Sequence, residues 1–121
     1  MKTIVYIALG GALGSVLRYL TSIIIKNDAF PYATFVTNIV GCLLIGLFFG
    51  YFEKQNLLSQ DLKFFLITGF CGGYTTFSTF SLENIQLMQN NQMFTAFLYI
   101  ALSVIVGVIA TWLGINLAKA L

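Results

Sequence analysis

The chain has 121 residues, of which 59% are hydrophobic and 8% are charged, and its formal net charge is +2 at pH 7. This composition leaves too few polar side chains to cover the surface of a water-soluble globular protein, so an integral membrane protein is expected. The connections between its apolar stretches are too short for a soluble domain or a nucleotide-binding fold. We therefore predict a single membrane domain over residues 1–121.

Four apolar stretches approach or exceed the roughly 20 residues that a membrane-spanning helix requires. They lie at about residues 4–25, 33–52, 64–88 and 94–118. The pattern predicts an all-α membrane protein with four transmembrane helices. The first stretch is longer than the apolar region of a secretory signal and contains Arg18, so we expect it to be retained as a helix.

Basic residues are distributed unevenly between the two predicted sides of the membrane. The side of both termini carries four lysines, namely Lys2, Lys54, Lys63 and Lys119. The opposite side carries Lys26, toward which Arg18 is able to extend. The positive-inside rule favours cytoplasmic termini, but a bias this weak also suits insertion in both orientations.

Small residues predict how the helices pack. Gly10 and Gly14 form one GxxxG spacing in the first span, and Gly46 and Gly50 form another in the second. Such pairs allow helix backbones to approach closely, within or between subunits. Since four short helices enclose little volume, an oligomer is expected.

Polar side chains inside the spans are more selective indicators of function, because their burial must be compensated by partners. Asn38 lies inside the second span, where its amide offers two N–H donors to a partner or an anion. For Arg18 and Asn116, a structural role near a membrane interface and a functional role both remain open.

The third span contains the segment GFCGGYTTFSTFS at residues 69–81, which combines glycines with six hydroxyl side chains. Irregular backbone is tolerated within the membrane where it is buried in protein, lines a wet cavity or holds an ion. We predict a break over residues 72–75, between half-helices at 64–71 and 76–88. Its carbonyls would suit a hard cation, and its amides or helix N-terminus would suit an anion.

Beyond the predicted break, Phe77 and Phe80 share one helical face, and Thr76, Thr79 and Glu83 share a neighbouring one. Packing is one interpretation of the two phenylalanines. The other is that their electropositive ring edges face an anion.

These residues match a known pattern. The segment at 69–81 resembles the signature of the CrcB or Fluc fluoride channels, usually GFCGGxTTFSTF. Residues 10–19, GGALGSVLRY, and residues 34–41, TFVTNIVG, resemble the first-helix and second-helix motifs of the same family. The resemblance covers the whole chain. It implies that the protein is a fluoride-specific channel and not an enzyme. Such a channel would passively export cytoplasmic fluoride across the inner (plasma) membrane and so reduce fluoride toxicity.

The resemblance further implies an antiparallel, dual-topology dimer with a broken third helix and two narrow pores. Its partner is either an identical chain or an oppositely oriented homologue. A structural sodium ion, which is not transported, would lie at the dimer centre, bound by the backbone carbonyls of Gly72 and Thr75. Fluoride, sodium and membrane lipid are the expected partners, and no nucleic acid is expected.

Eleven side chains acquire expected roles from the resemblance. Those implied to line the fluoride pore are Asn38, Phe77, Phe80, Tyr99, Ser103, Ser78 and Thr79. Those implied to lie in a vestibule or to modulate transport are Arg18, Glu83, Thr34 and Thr111. A positive charge at Arg18 would draw anions inward. An ionised Glu83 would repel fluoride, so this carboxyl group is expected to be protonated, turned away or bound to a hydroxyl.

A small dual-topology multidrug or cation antiporter is the alternative function. Such carriers rely on an acidic residue in the first helix, and the first span here has none. An intramembrane enzyme is disfavoured because the sequence contains no histidine and no Ser or Cys beside a recognisable base. A purely structural membrane subunit would tolerate replacement of Asn38 or Phe80 without loss of any transport.

Overall fold

The computed structural model describes residues 1–26, 29–55 and 59–121, and within these ranges the chain forms helices and no strands. Helix α1 spans Lys2–Ile24 and α2 spans Tyr32–Lys54. The helical run α3 begins with Gln60–Lys63, widens into a π-helix over Phe64–Cys71 and ends with Gly72–Tyr74. Helix α4 spans Phe77–Gln89 and α5 spans Met93–Ala120.

Three of these helices, α1, α2 and α5, are long and apolar enough to cross a membrane, among the residues that the structure describes. They correspond to the first, second and fourth predicted spans. The third predicted span is divided between α3 and α4, so no single long helix occupies it. The prediction of an all-α membrane protein is confirmed.

The division between α3 and α4 falls at two threonines. Thr75 and Thr76 have extended backbones, with φ and ψ of −83° and 160° for Thr75 and −151° and 119° for Thr76. The predicted bounds of the break, residues 72–75, were therefore wrong, because Gly72–Tyr74 are helical and Thr76 is extended. We refer to Thr75 and Thr76 as the interruption.

Threonine side chains explain why the interruption lies there and not at the preceding glycines. The Thr75 backbone N–H and side-chain hydroxyl both donate to the Cys71 carbonyl, at 3.1 and 2.9 Å, and so close the last turn of α3. The Thr76 hydroxyl accepts from the Thr79 backbone N–H at 3.2 Å, which caps the first turn of α4. One threonine ends a helix and the next begins another.

The helices pack mainly as two pairs, α1 with α3 and α2 with α5. Glycines occupy both contacts. A Cβ atom on Gly14 would lie 2.7 Å from the Tyr74 backbone nitrogen, and one on Gly50 would lie 2.8 Å from the Ile115 carbonyl oxygen. Because real Cβ atoms do not approach backbone this closely, both predicted GxxxG pairs include a position at which only glycine fits.

A tight turn at residues 90–92 joins α4 to α5 and makes these two helices antiparallel neighbours. Asn91 adopts a positive φ of 61°, and the Gln92 backbone N–H donates to the Leu87 carbonyl at 2.8 Å. This is a common way to end a helix, and Asn tolerates the left-handed conformation better than most residues. The turn places Glu83 of α4 opposite Tyr99 of α5.

Charged residues cluster at the end of the bundle that carries both termini. Lys2 pairs with Asp61 at 3.6 Å, and Lys119 pairs with Glu53 at 3.1 Å. Lys54 also donates to the Lys119 carbonyl at 3.4 Å. The structure thus places Lys2, Lys54 and Lys119 at the same end of the bundle.

Candidate functional site

Asn38 of α2 lies against the interruption and binds both backbone groups of Thr76. Its Nδ2 donates to the Thr76 carbonyl at 3.1 Å, and its Oδ1 accepts from the Thr76 N–H at 2.8 Å. The side-chain amide thus pairs with the Thr76 backbone as a neighbouring β-strand would. An extended residue between two helices would otherwise leave these polar groups unpaired, which is unfavourable in a membrane.

This arrangement uses half of the hydrogen-bonding capacity of Asn38. An asparagine amide carries two N–H donors and an oxygen that accepts two bonds. One donor and one acceptor position are used by Thr76. The sequence identified Asn38 as a donor to a partner or an anion, and its bond to the Thr76 carbonyl is a donation of that kind.

Arg18 of α1 also contacts the backbone beside the interruption. Its Nε donates to the Gly73 carbonyl at 3.1 Å. The residue lines a cavity of about 310 Å³ whose other polar walls are mostly hydroxyls, those of Ser15, Tyr19, Ser22, Thr34, Thr37, Thr76 and Thr79. The cavity therefore combines one positive charge with several hydroxyl-bearing side chains, of which Ser22 and Thr34 already donate to the Tyr19 carbonyl and to Glu83.

Glu83 of α4 accepts a hydrogen bond on each carboxylate oxygen. The Thr34 hydroxyl donates to Oε2 at 2.8 Å, and the Tyr99 hydroxyl donates to Oε1 at 2.8 Å. Tyr99 is completely buried and Thr34 is nearly so. Of the three alternatives for Glu83, the structure shows engagement with hydroxyl partners, and there are two of them.

The two phenylalanines of α4 have different surroundings. Their ring centroids are 5.7 Å apart, and the Phe80 ring makes an edge contact with Tyr99 at 4.9 Å. Phe77, by contrast, is 79% exposed on the surface of the subunit. Packing inside the subunit therefore accounts for Phe80 but leaves Phe77 without an explanation.

The remaining predicted pore residues divide into two groups. Ser78 and Thr79 lie on the first turn of α4, where the Ser78 hydroxyl is 3.4 Å from that of Thr76. In α5, the Ser103 hydroxyl is buried and has no hydrogen-bond partner within the described residues. It is therefore a donor without an acceptor inside the described part of the subunit.

Thr111 and Asn116 are not brought to this cluster. The single proton of the Thr111 hydroxyl is shared between the carbonyls of Cys42 and Gly107, at 3.1 and 3.2 Å, and so joins α5 to α2. Asn116 donates to the Trp112 carbonyl one turn earlier in the same helix, at 2.8 Å. Both side chains make structural bonds to backbone, which for Asn116 is one of the two roles that its position in the sequence left open.

The backbone carbonyl oxygens of Gly72 and Thr75 are the type of ligand that a hard cation prefers. Their usual helical donors, the N–H groups of Thr76 and Thr79, bind instead to the Asn38 Oδ1 and the Thr76 hydroxyl. Both residues line one groove of about 480 Å³ that also includes Asn38. No group of three or more His, Cys, Asp or Glu in the described ranges suits a metal, so a cation here would depend on carbonyl oxygens.

Sequence reasoning missed two residues beside the interruption. Thr21 of α1 lies with its hydroxyl 3.0 Å from the hydroxyl of Tyr74, the last residue of α3. Tyr74 occupies the unspecified position of the GFCGGxTTFSTF pattern, so the motif gave no indication of its role. The three-residue spacing of Thr21 from Arg18 was the available signal, because it places both on one face of α1.

Comparison with known proteins gives consistent matches over nearly the whole chain. Residues 5–115 match the family model described as CrcB-like protein, Camphor Resistance (CrcB). A protein of Flavobacterium psychrophilum named fluoride-specific ion channel FluC is 71% identical, with both chains covered completely. Proteins of the same name from Azobacteroides pseudotrichonymphae and Ignicoccus hospitalis are 45% and 43% identical and cover at least 98% of each chain.

Proposed function

Because the chain belongs to the CrcB-like protein family, we propose that it is a fluoride-specific ion channel, as its relatives are named. The observation that carries the proposal is the concentration of donors around one interruption within the membrane domain. There, Arg18 and hydroxyl-bearing residues of α1, α2 and α4 line one cavity, and Asn38 is hydrogen-bonded to the backbone of Thr76, which also lines that cavity. The nearby carboxylate of Glu83 already accepts two O–H donors.

These groups match the chemistry of fluoride. The ion is small and strongly hydrated, so a pore must replace its water with several donors without binding it too tightly to leave. The Asn38 amide and the Ser78, Thr79 and Ser103 hydroxyls are the donors, and the ring edges of Phe77 and Phe80 add weaker electropositive contacts. Chloride is larger and accepts hydrogen bonds more weakly, so a narrow pathway of this kind excludes it.

Glu83 and its two hydroxyl partners fit beside such a pathway. Both oxygens of its carboxyl group accept O–H bonds from the Thr34 and Tyr99 hydroxyls, at 2.8 Å each. Tyr99 connects Glu83 to the proposed pore, because its ring also contacts the ring of Phe80, with a centroid distance of 4.9 Å. Thr34 donates a hydrogen bond to Glu83 and also lines the cavity that contains Arg18.

The working unit in this proposal is an antiparallel dimer with a broken third transmembrane helix. Two features of the subunit support a partner at the interruption. Phe77 is 79% exposed there, and a Cβ atom added to Gly72 would meet nothing within 4 Å. Four lysines against one across the predicted membrane is a weak bias, as insertion in both orientations requires.

A structural sodium ion would lie between the two interruptions. Gly72 and Thr75 of each subunit would supply one carbonyl each, giving four oxygen ligands around the two-fold axis. One subunit alone offers only two, which is too few for a hard cation. The ion would stabilise the dimer and would not be transported.

Passive export across the plasma membrane is sufficient for the cell. HF crosses membranes uncharged and dissociates at the higher internal pH, so fluoride accumulates inside. Since the interior is electrically negative, an open pathway lets the anion leave without an energy source.

Fluoride release from liposomes tests the proposal. Purified protein is reconstituted into vesicles loaded with potassium fluoride, valinomycin is added, and a fluoride electrode follows the release. Chloride-loaded vesicles are the matched control. Rapid release of fluoride without chloride is expected. Release of neither ion from folded dimers would contradict the channel, and proton-driven uptake of a cationic dye would favour the antiporter.

A further inference from the structure

We propose that Arg18 and Thr21 of α1 are positioning residues that clamp the end of α3 and thereby set the geometry of the interruption. This inference rests on the proposed channel and its sodium ion, and it gives Thr21 and Tyr74 a role. We call Arg18, Thr21, Gly73 and Tyr74 the α1 clamp. It joins two residues on one face of α1 to two consecutive residues of α3.

The first contact satisfies a carbonyl that the interruption leaves without its helical partner. In a continuous helix the Gly73 carbonyl would accept from the N–H of Phe77, but Phe77 is the first residue of α4, beyond the two extended threonines. The Arg18 Nε takes that place at 3.1 Å. A guanidinium donor makes a stronger hydrogen bond than a neutral one, which matters where water is excluded.

The second contact has a defined direction. The Thr21 hydroxyl donates its only proton to the Leu17 carbonyl at 2.9 Å. It must therefore accept from Tyr74, so the tyrosine hydroxyl is the donor in the 3.0 Å contact. The Tyr74 side chain is 8% exposed, and its ring lies nearly parallel to that of Phe70, with an angle of 8° between the planes. This ring is held on its face and at its hydroxyl.

The position of the α1 clamp in the chain gives it a consequence for ion binding. Gly73 and Tyr74 are the two residues between Gly72 and Thr75, whose carbonyls are the proposed sodium ligands. Fixing the Gly73 carbonyl and the Tyr74 side chain limits how the peptide groups on either side rotate. Asn38 fixes Thr76 from the opposite side, through α2. The two carbonyls proposed as sodium ligands therefore lie between the α1 clamp on one side and the hydrogen bonds of Asn38 on the other.

Removal of hydroxyls tests the α1 clamp without changing any charge. Tyr74→Phe and Thr21→Val each delete the same hydrogen bond, Thr21→Ser retains it, and Tyr51→Phe removes a hydroxyl from a half-exposed tyrosine at the end of α2. Two quantities are measured against sodium at constant ionic strength, with N-methyl-D-glucamine as the replacement. These are the fraction of dimer in detergent and the rate of fluoride release from liposomes.

We expect Tyr74→Phe and Thr21→Val each to raise the sodium concentration at half-maximal dimer fraction by about fivefold, the factor that corresponds to one hydrogen bond. The double variant should show little further change, because both substitutions remove one contact. Thr21→Ser and Tyr51→Phe should match the parent chain. Fluoride release at saturating sodium should recover.

Arg18→Gln separates positioning from simple electrostatics. Removing a positive charge near a cation site would by itself lower the sodium requirement. Loss of the Arg18 bond to the Gly73 carbonyl should instead raise the sodium concentration at half-maximal dimer fraction, and this increase is the result that we expect. Unchanged or lowered half-maximal sodium in folded Tyr74→Phe, Thr21→Val and Arg18→Gln dimers, or a parent dimer insensitive to sodium, would overturn the inference. A parent chain that releases no fluoride would contradict the channel instead, while the dimer fraction would still test the α1 clamp.

Discussion

Replacement of Asn38 by alanine is the most direct test of how the interruption is held. The substitution removes both side-chain bonds to the Thr76 backbone, at 2.8 and 3.1 Å. The N–H and the carbonyl of Thr76 would then lack protein partners within the membrane domain. An unpaired buried polar group costs about 1–3 kcal/mol, so the two together predict a loss of roughly 2–6 kcal/mol.

The assay is thermal unfolding of the purified dimer in detergent. The measured quantity is the fraction of folded dimer that remains after heating. Asn116→Ala is the matched control, because Asn116 is exposed and makes a single local bond to the Trp112 carbonyl. Asn116→Ala should lower the free energy of unfolding by no more than about 0.5 kcal/mol, as for most surface positions. Equal destabilisation by the two substitutions would refute the reasoning, since it would mean that the Thr76 backbone finds other partners.

Three further predictions concern the pore, the carboxylate and the glycines. Phe80→Ile should leave the dimer folded but reduce fluoride release by at least about tenfold, because an aliphatic side chain has no electropositive edge to offer the anion or Tyr99; undiminished release would argue that Phe80 only packs. Glu83→Gln replaces an acceptor oxygen by an NH₂ donor and so loses one of two hydroxyl bonds, about 1–3 kcal/mol, and a thermal double-mutant cycle with Tyr99→Phe should show less than additive losses. Full additivity would separate the two side chains energetically. Gly14→Ala should abolish folding, because its Cβ atom would lie 2.7 Å from backbone, whereas Gly72→Ala, with nothing within 4 Å, should leave the subunit folded; comparable yields of folded protein would contradict the close packing of α1 against α3.

Hydropathy predicted most of the fold because it depends on one property that is local in sequence. Apolar stretches of sufficient length became α1, α2 and α5, and the glycine pairs marked where helices meet. The third span was harder. Its apolar residues Phe64–Cys71 form a π-helix, a geometry that no composition or spacing in this segment indicates.

The bounds of the interruption show why glycine was a misleading guide. Gly72 and Gly73 are permissive residues, and helical conformation is among those that they adopt. What ends α3 is the pair of threonines, whose hydroxyls bind backbone groups that the helix would otherwise satisfy. Side-chain capping of this kind is visible in sequence only when the residue type is considered together with its neighbours.

The contacts that hold the interruption from outside were not predictable by spacing. Arg18 and Gly73 are 55 residues apart, Thr21 and Tyr74 are 53 apart, and Asn38 and Thr76 are 38 apart. Only the packing of α1 and α2 against the ends of α3 and α4 brings them together. The sequence therefore indicated which residues were polar inside the membrane, and the fold decided what each one binds.

Asn38 shows how a single side chain serves both the fold and the proposed pore. Pairing with both backbone groups of Thr76 needs one donor and one acceptor on the same side chain. Aspartate when ionised has no donor, and serine has a single proton that the Thr76 carbonyl would use. Asparagine is the shortest side chain that forms both bonds and retains a second N–H. We propose that this second N–H donates a hydrogen bond to fluoride. The residue that stabilises the interruption in the membrane would then also contribute to ion conduction.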